Sequence, residues 1–103
     1  MNEAKKYTVI ISERAKQMLT SHISFLAKVN KHSAKEKKNM IIKALNSLSQ
    51  MPNRFPFFEE PYIPANKYHK MYIEKYYIVL YQIKDNYVFV DYILDCRKDY
   101  NWL

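Results

Sequence analysis

YHKMYIEKYYIVLYQIKDNYVFVDYILDCRKDYNWL, residues 68–103, decides the fold. It holds three runs rich in tyrosine and β-branched residues, separated by a polar break at Glu74 and Lys75 and by the turn dipeptide Asp85-Asn86. That pattern predicts a three-stranded antiparallel meander. The last run delivers Asp95, Cys96, Arg97, Lys98, Asp99, Tyr100 and Trp102 to the end of a strand. A charged and aromatic cluster there is awkward to bury and easy to use, so a functional site is expected at that end.

Working outward, the proline-bearing stretch comes first. Pro52, Pro56, Pro61 and Pro64 all precede the meander and exclude helix and central strand. The segment reads as an extended loop that pins Phe55, Phe57, Phe58 and Tyr62 over one end of the core. Upstream of it, Ala15, Leu19, His22, Leu26 and Val29 recur at helical spacing behind Ser12, an N-cap candidate. Ser33-Ala34-Lys35-Glu36 forms a capping box for a second helix. That helix buries Met40, Ile41, Ala44, Leu45, Leu48 and Met51 and is ended by Pro52. The short connection predicts an antiparallel helical hairpin. Tyr7 to Ile11 (YTVII) reads as a strand that joins the meander. The fold class is therefore α+β: an N-terminal strand, a helical hairpin, then a three-stranded antiparallel meander, with the helices on one face of a single sheet.

On that sheet the strict alternation places Val88, Val90, Tyr92 and Leu94 on one face of the last strand, and Tyr87, Phe89, Asp91, Ile93 and Asp95 on the other. The helices should cover the more apolar faces. The opposite faces should be half exposed, with no second aliphatic core. Leu19, Leu26, Ile41, Leu45, Leu48, Val79, Tyr81, Val90 and Tyr92 should be mostly buried.

At 103 residues the chain is expected to be one domain, 1–103, with a single modest core. No apolar run approaches a membrane span, and the MNEAKKY start lacks the apolar stretch of an export signal. One cysteine fits a reducing cytoplasm. The absence of glycine excludes glycine-rich phosphate loops, and no Cys/His spacing suggests zinc, so no cofactor or metal is expected. Ten Lys and Arg stand against three Asp and Glu in residues 1–50, and seven against seven in residues 51–103. The helical half thus carries the whole net charge of +7, which suggests an acidic partner or nucleic acid.

The order of elements, with Tyr77-Ile78-Val79-Leu80-Tyr81-Gln82-Ile83 and the closing Arg97-Lys98-Asp99-Tyr100, resembles the RelE/ParE superfamily of toxins from bacterial type II toxin-antitoxin pairs. Arg97 and Tyr100 match the closing R-x-x-Y of that family. Ile78 departs from it, standing where many ribosome-dependent members hold a catalytic arginine. The resemblance implies a cognate antitoxin as partner. The activity it implies first is inhibition of translation as a ribosome-dependent, metal-independent mRNA endoribonuclease, with non-catalytic inhibition of DNA gyrase as the alternative. A small basic nucleic-acid-binding domain is a third reading, which explains the charge but not the meander.

Cleavage by an RNA 2′-hydroxyl needs cations for the developing phosphorane charge and groups that move protons. Arg97 is the candidate phosphate clamp, Lys70 and Lys75 the further cations, and His69, Glu74 and Tyr100 the proton-transfer groups. Lys70 and Glu74 share a strand face by the period of two, and antiparallel pairing can bring that strand beside the last one. The alternative for Arg97 is an ion pair with Asp95 or Asp99. For Tyr100 and Trp102 it is a tail that seals the core, and for His22 and Cys96 a place in the core.

Overall fold

The computed structural model of the protein describes residues 6–97. In chain order these form β1 (Thr8–Ile11), α1 (Glu13–Ala27), α2 (Lys31–Asn46), two short 3-10 turns (Ser47–Ser49 and Pro52–Arg54), β2 (His69–Ile73), β3 (Tyr77–Lys84) and β4 (Tyr87–Asp95). The strands make one sheet in the order β1-β4-β3-β2. The meander is antiparallel, while β1 pairs with β4 in parallel, so the sheet is mixed. The expected strand, hairpin and meander are all present. Among the described residues no helix is long and apolar enough to cross a membrane.

Ser12 caps α1 as expected: its backbone is extended and its Oγ accepts from the Ala15 amide at 3.0 Å. The capping box for α2 is displaced by one turn. Asn30, in extended backbone, caps the helix through Oδ1, which accepts from the Ser33 amide at 3.0 Å. Asparagine caps as well as serine, and the earlier start places Ala34 inside the helix, where it is buried. Glu36 instead faces His32 one turn back, at 3.3 Å. The other end also differs from expectation. Regular α-helix stops at Asn46, and Leu48 is buried from a 3-10 turn. Met51 turns left-handed (φ 48°) and is 63% exposed.

The hairpin packs on one face of the sheet. Ala15, Ile41, Leu45 and Leu48 meet Tyr77, Val79, Tyr81, Val88, Val90 and Ile93, with Leu19 partly buried at the margin. Fully burying a side chain of this size contributes about 1.5–3 kcal/mol, so this seam carries much of the stability. The Tyr81 hydroxyl, inside the core, donates to the Pro52 carbonyl at 2.6 Å and ties the second 3-10 turn to the sheet.

Two expectations about the sheet are corrected. A second core exists on the face away from the helices, where Phe58 and Tyr68 from the proline-bearing stretch cover Ile78, Leu80 and Leu94. The stretch holds itself there by pairing along β2: the Phe58 amide donates to the Tyr68 carbonyl at 2.7 Å and the Lys70 amide to the Pro56 carbonyl at 2.9 Å. The strict alternation of β4 also fails. Tyr81 pairs with Val90 but Leu80 pairs with Tyr92, so Asp91 is an extra residue in a β-bulge. Beyond it the faces exchange: Ile93 and Asp95 turn toward the helices, and Tyr92 and Leu94 toward the second core. Tyr92 is accordingly only half-buried.

With no glycine in the chain, the left-handed positions among the described residues fall to Met51, Asn66, Glu74 and Asp85. Asn and Asp tolerate this backbone, whereas Met and Glu pay roughly 1–2 kcal/mol each for it. Glu74 offsets part of that cost through an ion pair with Lys37 of α2, which fastens the β2–β3 turn to the hairpin.

Candidate functional site

The expected site lies at the end of β4, beside the β2–β3 turn. Tyr77 is opposite Asp95 in the register, and the Cys96 amide donates to the Tyr76 carbonyl at 2.7 Å, so the turn and the strand end are held side by side. Because the bulge has turned Asp95 inward, its carboxylate is buried next to the hairpin. Arg97 folds back over it. Nε donates to Oδ1 and Nη2 to Oδ2, each at 3.1 Å, and the Arg97 amide adds a third bond to Oδ1 at 2.9 Å. The other surface of the guanidinium lies on the Tyr76 ring, 4.1 Å from its centroid. Half of the Arg97 side chain remains exposed.

Electrostatics follow from this geometry. Burial alone would raise the Asp95 carboxyl, but the hydrogen bonds and charge of Arg97 outweigh it and hold the group below the usual range. The hydrogen bond to Asp95 raises Arg97 in turn. Tyr77 is raised, first by burial and then by the Asp95 charge. His22 sits beneath: its Nε2 donates to the Ile93 carbonyl at 2.8 Å and its ring stands 5.7 Å from that of Tyr77. It is a buried core histidine, and its Nδ1 is buried without a hydrogen-bond partner among the described residues.

The other candidates divide into two groups. Glu74 and Lys75 share the Arg97 end of the sheet, with Glu74 engaged by Lys37 and Lys75 exposed. His69 and Lys70 do not reach it. Glu74 lies in a turn and shares no strand face with Lys70, and β2 does not lie beside the last strand, because β3 separates them. His69 pairs with Tyr81, four residues along β3 from Tyr77, or about 13 Å at the usual strand rise. Its Nδ1 donates to the Phe55 carbonyl at 2.8 Å, and its ring packs between Phe57 and Tyr81. Lys70 faces the opposite side of β2, 5.8 Å from the Tyr72 ring centroid. Tyr100 and Trp102 lie outside the described residues. Cys96 packs against the second core.

Sequence reasoning missed Tyr76 and Lys37. Tyr76 reads as the start of the middle strand, and only the β3–β4 register shows that it lies under residue 97. The arrangement presents a fixed, half-exposed guanidinium on an aromatic ring, a form suited to gripping an anion or a carbonyl-rich partner surface. Among the described residues no cluster of three or more His, Cys, Asp or Glu is placed to hold a metal ion.

Comparison with known proteins agrees with the fold. Residues 9–100 match the family described as ParE toxin of type II toxin-antitoxin system, parDE. No curated protein matches the sequence. Among solved structures, a chain of the chromosomal ParDE TA system from P. aeruginosa superposes with a TM-score of 0.73 at 12% identity, covering 89% of this chain and 98% of that one.

Proposed function

Because the chain belongs to the ParE toxin family of type II toxin-antitoxin systems, we propose that it inhibits DNA gyrase by binding, without chemistry, in the bacterial cytoplasm. The observation that carries this reading is Ile78. The resemblance places a catalytic arginine of ribosome-dependent members at this position. Here the side chain is 3% exposed and packs with Phe58, Tyr68, Leu80 and Leu94. An arginine there would bury an unpaired charge, and the position offers no access to substrate. The dispersal of His69 and Lys70 away from Arg97 supports the same conclusion. Arg97 on Tyr76 then serves as a contact for the target, since Arg and Tyr are the residue types that anchor interfaces.

A cognate antitoxin completes the proposal. Lys28, Lys31, Lys35, Lys38 and Lys43 are all exposed on the hairpin. An acidic segment that orders on binding would complement them, with salt-sensitive association.

The decisive experiment pairs two purified assays. Supercoiling by gyrase should be inhibited by the chain and restored by the antitoxin, while translation of a reporter mRNA by purified ribosomes should proceed with the message intact. Cut mRNA alongside unimpaired supercoiling would establish the nuclease reading instead. Absence of any growth effect on induction would remove the toxin assignment itself.

A further inference from the structure

The turn end of the sheet carries more than the Arg97 contact. Tyr72 and Tyr76 are 55% and 41% exposed there, two large rings outside either core. Tyr72 stands opposite Ile78, two residues beyond Tyr76 in the chain, so the tyrosines are diagonal neighbours across the β2–β3 hairpin, about 7–8 Å apart at the backbone. Each ring has one of the chain's own cations over it. Lys70 Nζ lies 5.8 Å from the Tyr72 centroid, and the Arg97 guanidinium 4.1 Å from that of Tyr76. Lys75 is exposed in the turn that joins the two strands.

The charge at this end is one-sided. Its two carboxylates are both engaged, Glu74 by Lys37 and Asp95 by Arg97. Lys70 and Lys75 have no carboxylate partner among the described residues, so the patch is left positive. A nucleic acid is not the partner this favours. Strong binding to a polyanion draws on the order of six to ten phosphate contacts, and two unpaired lysines supply too few. Base stacking needs open ring faces, and Lys70 and Arg97 already lie over these rings. What remains accessible is a set of donors, two ammonium groups and the outer edge of a fixed guanidinium, placed among tyrosines. Tyrosine and arginine are the residue types that anchor protein interfaces, and the complement of donors that carry positive charge is a surface of carboxylates.

We propose that Tyr72, Tyr76, Lys70 and Lys75 join Arg97 in one target-binding surface, and that this surface docks on an acidic, carboxylate-bearing patch of the gyrase protein. The inference rests on the gyrase reading above. It adds which side chains grip the target and what chemistry they meet. Lys70 lies too far along β2 to share one phosphate with Arg97, yet it extends a broad protein contact from Tyr76 to Tyr72. The basic hairpin is left to the antitoxin, so the two partners are met by different side chains.

The test measures inhibition of supercoiling, and binding to purified DNA-free gyrase, for the full chain and its variants. Tyr72→Ala should raise the concentration for half inhibition by roughly 10- to 30-fold, the effect of removing an interface anchor. Lys75→Glu should slow association with gyrase by about tenfold at low salt, and the deficit should shrink as salt is raised. Lys84→Gln, which alters an exposed cation at the far end of β3, should behave as the wild type does. Tyr72 and Lys75 are exposed, so melting temperatures should stay close to that of the wild type, and activity lost beyond the loss of folded protein is the readout. Full inhibition by wild type, Tyr72→Ala and Lys75→Glu alike would overturn the inference and leave the gyrase reading standing. A wild-type chain that leaves supercoiling untouched would remove both. A short DNA duplex bound as tightly as gyrase, and weakened by the same two substitutions, would assign the surface to phosphates and overturn the inference as well.

Discussion

Arg97→Ala tests whether the grip of Arg97 on Asp95 is structural. The substitution leaves a buried carboxylate that keeps its bond from the residue 97 amide and loses two side-chain donors. Breaking a buried pair costs about 3–5 kcal/mol, and the half-exposed guanidinium reduces that to about 2–3 kcal/mol here. For a domain of this size the melting temperature should fall by roughly 10–20 °C. Asp95→Asn should cost less, about 1–2 kcal/mol, because the released guanidinium reaches water. The sign of the pH dependence follows. In the wild type the Asp95 carboxyl is depressed, so its contribution is complete above the unfolded carboxyl value, about 3.9, and lost as pH falls through the lower folded value. In Arg97→Ala, burial prevails and raises the group, so the deficit should be largest near neutrality and narrow toward acid. Thermal melts by circular dichroism at several pH values between 3.5 and 7.5 measure both effects. A variant that melts within about 3 °C of wild type at neutral pH would refute the reasoning and return Arg97 to a purely surface role. Arg97→Lys adds a functional readout: it keeps the charge but loses the fork, so activity lost beyond the loss of folded protein identifies a planar, two-bond contact with the target.

Four further outcomes are expected. Leu45→Ala, at a fully buried position in the hairpin–sheet seam, should lower stability by roughly 2–5 kcal/mol in urea titration, and a loss under 1 kcal/mol would contradict that seam. Asn30→Ala should cost about 1 kcal/mol and Ser33→Ala almost nothing; the reverse order would restore the cap to Ser33. Met51→Gly should stabilise the protein by up to about 1 kcal/mol, since an exposed, left-handed methionine is relieved, and any destabilisation would show that its side chain matters. The Tyr68 hydroxyl is pushed up to about 12, mainly by burial and then by the Asp91 charge. Its neutral form therefore contributes stability that is full below the unfolded value near 10 and is lost as pH rises through about 12, and Tyr68→Phe should flatten that alkaline slope.

The existence and order of the helices and strands were legible because each rests on a local signal. The apolar period of α1, Ser12 before it, and the Asp85-Asn86 turn need no knowledge of the rest of the chain. The capping of α2 was misread because two good caps, Asn30 and Ser33, stand three residues apart, and only packing of Ala34 chooses between them. Register was less accessible still. The extra residue at Asp91 carries no glycine and no composition cue, yet it exchanges the faces of everything beyond it in β4. Strict alternation predicted Tyr92 under the helices and Asp95 away from them, and both are reversed.

That single residue shapes both faces of the sheet. By turning Asp95 inward it supplies the carboxylate that fixes Arg97 on Tyr76 at the end of the sheet. By turning Tyr92 outward it sets that ring edge-on to Tyr68 beside the second core, while the Asp91 side chain accepts from Gln82. A regular β4 would have neither arrangement: Asp95 would join the second face and Tyr92 would compete with Leu45 and Leu48 for space beneath the hairpin. The bulge trades one unpaired ladder position for a re-aimed strand end. This is why the fold could be read from periodicity, whereas the placement of Arg97 and Tyr92 could not.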